Sequence, residues 1–191
     1  MPQEKSENFF TELLKFILIA ALIVIPMRLF VAQPFIVSGA SMDPTFHNGQ
    51  YLIVDELTYH FASPRRGDVI IFRYPKDRTQ FFIKRIVGLP GETVLIRGGK
   101  VEVQKADGAP VALSEPYVVN PGNSGNSTHP VGQGEYFVMG DNRPESSDSR
   151  TWGLLPRTDV VGRAFLRLLP IQYLGFFPGS LPAGQAGTQS Q

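Results

Sequence analysis

The sequence predicts a mainly β protein, an antiparallel β-sheet architecture preceded by one N-terminal transmembrane helix. Three observations lead there. A single long apolar run stands near the N-terminus, and no later run matches its length. Beyond Gln33 the chain breaks into short runs of β-branched and aromatic residues closed by turn residues, with no helical periodicity between them. Gly and Pro number 19 and 16 in 191 residues, a supply that suits many tight turns better than long helices.

Residues 1–12 form a short N-terminal segment. Leu13–Val31 (LLKFILIAALIVIPMRLFV) then gives a helix of about 28 Å, against the roughly 30 Å hydrocarbon core of a bilayer. Phe16–Met27 carries no charge, and Lys15 and Arg28 sit at the two edges, where long side chains reach the headgroups. A cleaved leader is the rival reading. Its small residues would be Ser38 and Ala40, which lie far past the apolar run with Arg28 between, so an anchor is the expectation. Flanking charge leaves orientation open, since Lys5 is accompanied by Glu4, Glu7 and Glu12 and Arg28 follows the run.

Strands are expected at Tyr51–Val54, Asp68–Phe72, Gln80–Val87, Thr93–Arg97, Glu135–Met139 and Val160–Leu168. Turns are marked by His47-Asn48-Gly49, Arg66-Gly67-Asp68, Pro90-Gly91 and Gly98-Gly99. The polar, Gly-rich stretch between Asn120 and Gly134 reads as a mobile loop, and 178–191 as a disordered tail. Leu168–Phe177 is apolar but too short to span, hence either core or a surface that dips into an interface.

Composition narrows the function. With 18 Lys and Arg against 17 Asp and Glu, the chain lacks the basic excess of a nucleic-acid binder. No cysteine is present, so thiol catalysis, disulfides and thiolate metal sites are all excluded. His47, His60 and His129 stand far apart without paired spacing, and no metal site is expected.

Three pieces carry chemistry. In SGASMDPTF (Ser38–Phe46) a serine sits among small residues and a Pro-Thr turn. In QFFIKRIVGLPGE (Gln80–Glu92), read as a strand, Lys84 shares a face with Phe82 and Ile86 while Arg85 faces away with Ile83 and Val87. A lysine between two large apolar side chains is placed to lose solvent, which lowers its pKa toward that of a usable base. Arg85 is no substitute, because a guanidinium does not deprotonate in proteins. In GDNRPESSDSRTWG (Gly140–Gly153), Asp148 and Arg150 are close enough to pair. Each piece alone also has an ordinary reading: a serine turn, an edge-strand lysine covering apolar surface, a charged surface turn.

Together, SMDPT, RGDVIIFRYP, IKRIVGLPGE and GDNRPESSDSR, in this order behind an N-terminal span, resemble bacterial type I signal peptidases. The likeness covers most of the chain after residue 34, including VGRAF (Val161–Phe165). It implies a membrane-anchored serine endopeptidase that removes signal peptides from exported preproteins outside the plasma membrane, without cofactor or metal. By that match residues 34–177 form the catalytic β domain, with about 95–135 as a smaller, variable β extension. Ser41 matches the nucleophile and Lys84 the general base. Ser146 matches the serine that orients the lysine, Ser147 a more variable position, and Asp148 with Arg150 a structural pair. Met42, Phe82 and Ile83 match a cleft that takes small residues at −1 and −3 of the preprotein. One departure concerns the oxyanion hole. Many members carry a serine two residues before the nucleophile, where this chain has Gly39, so the second donor is either the Ser38 hydroxyl or the backbone around Gly39. Two other readings stay open at this stage: a specialised processing peptidase with the same chemistry, and a non-catalytic tethered domain that binds exported proteins.

Overall fold

The turn-punctuated runs pair into two antiparallel sheets in a computed structural model that describes residues 9–26, 33–122 and 125–181. Helix α1 (Phe9–Pro26) is followed by β1 (Gln33–Ile36), β2 (Tyr51–Asp55) and the one-turn helix α2 (Thr58–Phe61). Next come β3 (Val69–Tyr74), β4 (Asp77–Gly88), β5 (Glu92–Arg97), β6 (Lys100–Lys105), β7 (Val111–Ala112), β8 (Ser127–Pro130) and β9 (Glu135–Met139). A second one-turn helix, α3 (Ser149–Trp152), precedes β10 (Leu155–Pro156), β11 (Val160–Leu169) and β12 (Gly175–Phe176). The large sheet runs β1-β2-β11-β3-β4-β9-β10, with β12 also on β11, and the small one runs β7-β6-β5-β8.

The longest strand, β4, organises the molecule because its two ends meet different surroundings. Gln80 and Phe81 are exposed, whereas Ile83–Gly88 are buried on both faces. Alternation then sorts its side chains. Ile83 joins a core with Val37, Met42, Phe46 and Leu52, while Ile86 joins another with Ile70, Phe72, Val138 and Trp152. Val87 enters a third, with Val94, Ile96, Val103 and Phe137, that lies between the two sheets. Each cluster buries eight or nine residues, and at roughly 2 kcal/mol per large side chain that burial holds β4 against a one-residue slip.

Several expectations change. No helix is expected after Gln33, yet α2 and α3 each form one turn; at α3 the Asp148 carboxylate accepts from the Arg150 N–H and starts the turn. The stretch between Asn120 and Gly134 contains β8, because β5 has a second row of backbone groups that it pairs with Ser127–Pro130. Strand β6, not among the expected strands, alternates buried Val101 and Val103 with polar residues, and Gly98-Gly99 folds it back onto β5. Leu168–Phe177 is surface rather than core, with Leu169, Ile171, Leu174 and Phe176 exposed. The segment read as a tail begins with packed residues, since Pro178 is buried; residues 182–191 lie outside the described ones.

Of the expected span Leu13–Val31, residues 13–26 belong to α1 and 27–31 lie outside the described residues. The 18 residues of α1 rise about 27 Å, and among the described residues no helix is long and apolar enough to cross a membrane. Phe10, Phe16, Leu18 and Leu22 on α1 are exposed.

Candidate active site

Ser41 stands on the loop between β1 and β2. Two hydrogen bonds close that loop on itself, Asp43 N–H to Ala40 O at 3.1 Å and Phe46 N–H to Met42 O at 2.9 Å. Buried Met42 and Phe46 pin it to the core below. Lys84 reaches it from β4, opposite Ile70 of β3. Its Nζ lies 2.7 Å from Ser41 Oγ and 2.8 Å from Ile83 O.

The environment of Lys84 sets its acidity. The side chain is only 4% exposed, and its Nζ lies 5.4 Å from the centre of the Phe82 ring. Burial lowers its pKa from 10.5 to about 8, working against Asp148 and Asp141, whose charges pull it upward. Neither carboxylate is in ion-pair contact with the amine, so the opposition is partial. Near pH 8 about half the molecules would hold Lys84 as free amine. In that form the same 2.7 Å contact runs the other way, with the serine hydroxyl donating to nitrogen.

Behind the pair lies a hydrogen-bonded shelf. Asp148, fully buried, accepts from Gly140 N–H at 3.0 Å, Ser146 Oγ at 2.7 Å and Arg150 Nε at 2.8 Å. The expected Asp148–Arg150 pairing is therefore present. Ser146 directs its hydroxyl to Asp148 rather than to Lys84. Gly140 lets this shelf approach Ser41. A Cβ there would lie 2.3 Å from Ser146 Oγ and 2.4 Å from Ser41 O, a space only glycine leaves open.

Sequence reasoning missed a second shelf, centred on Arg85, Asp141 and Asn142. Arg85 is 1% exposed and pairs with Asp141 through Nε at 2.8 Å and Nη2 at 2.6 Å, with the Tyr117 ring 3.9 Å from its guanidinium carbon. Asp141 also accepts from Thr45 Oγ1 at 2.5 Å. Asn142 donates from its backbone to Ser41 O and from its side chain to Ala40 O, both at 3.1 Å. The signal available in sequence was Arg85 itself: a guanidinium in a core strand demands a buried acid, and GDNR offers one directly after β9.

Ser41 and Lys84 open into a cleft of about 470 Å³ whose lining includes Phe35, Ile36, Phe81, Phe82, Ile83, Glu145 and Ser147. Ser38 and Gly39 line it as well. The Gly39 N–H, however, donates to Asn48 Oδ1 at 2.9 Å, which removes it from the free donors at the cleft. Met42 does not line the cleft as expected. It is 1% exposed and packs inward, because the turn after Ser41 sends its side chain to the core behind the wall. Among the described residues no three His, Asp or Glu side chains converge as a metal site would require.

Residues 10–169 match the family model described as signal peptidase, peptidase S26. A probable signal peptidase I-1 from Synechocystis is 37% identical over 175 residues, covering 88% of this chain and 87% of its own. Signal peptidase I of Leptolyngbya laminosa is 37% identical, covering 91% and 86%, and that of Bacillus licheniformis is 33% identical, covering 89% and 96%.

Proposed function

The chain belongs to the signal peptidase family, peptidase S26, and is a serine peptidase of that family; on that premise we propose that it cleaves preproteins with Ser41 as nucleophile and Lys84 as base. The observation that carries this reading is the 2.7 Å contact between Ser41 Oγ and an amine buried without an ion-pair partner. Removal of signal peptides is the family's activity; the assignment of the pair is ours.

In the proposed reaction neutral Lys84 takes the Ser41 proton as Oγ attacks the scissile carbonyl, giving a tetrahedral oxyanion. The Ser41 N–H and the Ser38 hydroxyl are its donors, since Gly39 is engaged by Asn48. The ammonium then protonates the leaving amine, the C–N bond breaks, and Ser41 holds the signal peptide as an ester. Lys84, neutral again, deprotonates a water that attacks the ester, and the proton returns to Ser41 Oγ. Ser146 and Asp148 hold the shelf against which the Ser41 backbone sits. The cleft beside the pair, with Phe35, Ile36, Phe82 and Ile83 in its wall, is the proposed seat for small residues at −1 and −3 of the preprotein. Membrane anchoring is part of the proposal. Residues 13–26 of the expected span lie in the described helix, and the sequence to Val31 adds Met27, Leu29, Phe30 and Val31 around the edge residue Arg28. Tethering would raise the effective concentration of a substrate whose own apolar segment sits in the bilayer.

The test is preprotein cleavage by wild type, Ser41→Ala, Lys84→Arg and Ser38→Ala. The first two variants should lose at least about 10⁴ in kcat, because neither retains the nucleophile and a neutralisable base together. Ser38→Ala should lose about 10² in kcat with KM held. Activity within tenfold of wild type in Lys84→Arg would refute the dyad. Anchoring is checked by alkaline extraction of membranes, in which the full chain should stay with the pellet and a chain starting at Gln33 should not.

A further inference from the structure

The C-terminal end of the described chain does more than follow the last strand. After β12, Phe177 takes a left-handed φ of 46°, a conformation that a bulky residue adopts only when its surroundings impose it. Those surroundings are specific. The Phe177 N–H donates to Phe165 O at 2.6 Å, its ring packs edge-on to Phe165 at 5.2 Å, and the Arg163 guanidinium lies 5.0 Å from the ring centre. Ser180 N–H closes the turn onto Phe177 O at 3.0 Å. The turn drives Pro178 into a buried position and aims Gly179 at the interior.

There Gly179 makes two contacts of consequence. Its carbonyl accepts from Arg85 Nη1 at 2.6 Å, the same nitrogen that donates to Gly67 O at 2.9 Å. Its Cα lies against the nucleophile loop. A Cβ at this position would fall 2.7 Å from Thr45 Cγ2 and 3.1 Å from Phe46 Cε2, and its φ of +76° already favours glycine. Arg85 follows Lys84 in β4, and Asp141 ties Arg85 to Thr45 in the loop that carries Ser41.

We propose that Pro178–Gly179–Ser180 is a positioning element for the Ser41–Lys84 pair, acting through Arg85 and through Thr45 and Phe46. The proposal rests on the Ser41–Lys84 reading above. Without the Gly179 carbonyl, Arg85 Nη1 keeps only Gly67 O of its two acceptors, the lost contact being partly buried, and the guanidinium re-aims. With it move Asp141 and Thr45. A shift of about 1 Å in the nucleophile relative to its base is enough to cost about 10²-fold in rate.

The experiment compares three forms of the full membrane-anchored chain in detergent: one ending after Leu181, one ending after Phe177, and Gly179→Ala. Ser41→Ala and Lys84→Ala serve as references. Preprotein cleavage gives kcat and KM, and thermal melting gives the folded fraction at the assay temperature. The chain ending at Leu181 should keep kcat within about twofold of wild type. The chain ending at Phe177 and Gly179→Ala should each lose about 10- to 100-fold in kcat, with KM within about twofold and the protein folded. Equal kcat in the two truncations, or losses in both altered forms that only follow the folded fraction, would overturn the positioning role while leaving the dyad intact. Activity surviving in Ser41→Ala or Lys84→Ala would overturn the dyad and this proposal with it.

Discussion

Two neighbouring cations on β4 are buried to almost the same degree and treated in opposite ways. Lys84, 4% exposed, has a hydroxyl, a carbonyl and an aromatic ring around it and no carboxylate in contact. Arg85, 1% exposed, donates twice to Asp141 and once each to two backbone carbonyls. The pleat explains how both can exist, since successive side chains point to opposite faces of one strand. A cation left short of partners gives up its proton and becomes a base. A cation with all its partners, on a group that does not deprotonate, stays charged and braces the structure. The site joins the two: one face holds the amine of the proposed base, and the other ties to the loop that carries Ser41 through Asp141 and Thr45.

The contrast can be broken from the Arg85 side with the largest effect. Arg85→Met leaves Asp141 buried and unpaired, and should destabilise the fold by about 3–5 kcal/mol in urea melts. Replacing both partners, Arg85→Met with Asp141→Leu, should recover part of that loss, because no lone charge then remains. If the single variant is as stable as wild type, Arg85 is not the brace described here.

From the Lys84 side the sign reverses. At pH 6 the folded protein carries a buried ammonium, so Lys84→Met should raise stability by about 1–3 kcal/mol while abolishing cleavage. Between pH 8 and 10.5 the unfolded chain holds a proton that the folded chain has lost, and wild-type stability climbs with pH. The advantage of Lys84→Met should therefore shrink across that window. An advantage that stays constant from pH 6 to 10 would mean Lys84 is not desolvated.

The smallest effect sharpens the same point kinetically. Wild-type kcat/KM should rise along a limb centred near pH 8. Phe82→Glu places a carboxylate beside the amine, favours the charged form and should move that limb upward by about one unit. A limb that does not move would assign the titration to another group.

Much of the site was legible because its signals were local. Phe82, Lys84 and Ile86 share a face by strand alternation, which marks Lys84 as a residue that can be desolvated, and burial in the fold lowers its pKa. Asp148 and Arg150 pair across two residues, a distance sequence can judge. The proposed oxyanion donors read from sequence only as alternatives, since the engagement of the Gly39 N–H by Asn48 spans nine residues and depends on how the loop closes. Met42 was misplaced for a related reason: following Ser41 says nothing about which way a turn sends its side chain. Strand β8 was hidden in a polar stretch because its pairing is dictated by the free edge of β5, not by its own residues.

By itself, then, the sequence determined the β architecture, the apolar N-terminal run, the serine and lysine that carry the proposed chemistry, and the family. These rest on periodicity, turn chemistry and ordered motifs, all of which are written along the chain. Only the tertiary structure decided what surrounds those residues. The acid that holds Arg85 is 56 residues away from it and the Gly179 carbonyl 94, while Ser41 and Lys84 are separated by 43. Contacts at such separations are set by how sheets pair and where loops close, and they leave no local pattern for the sequence to display.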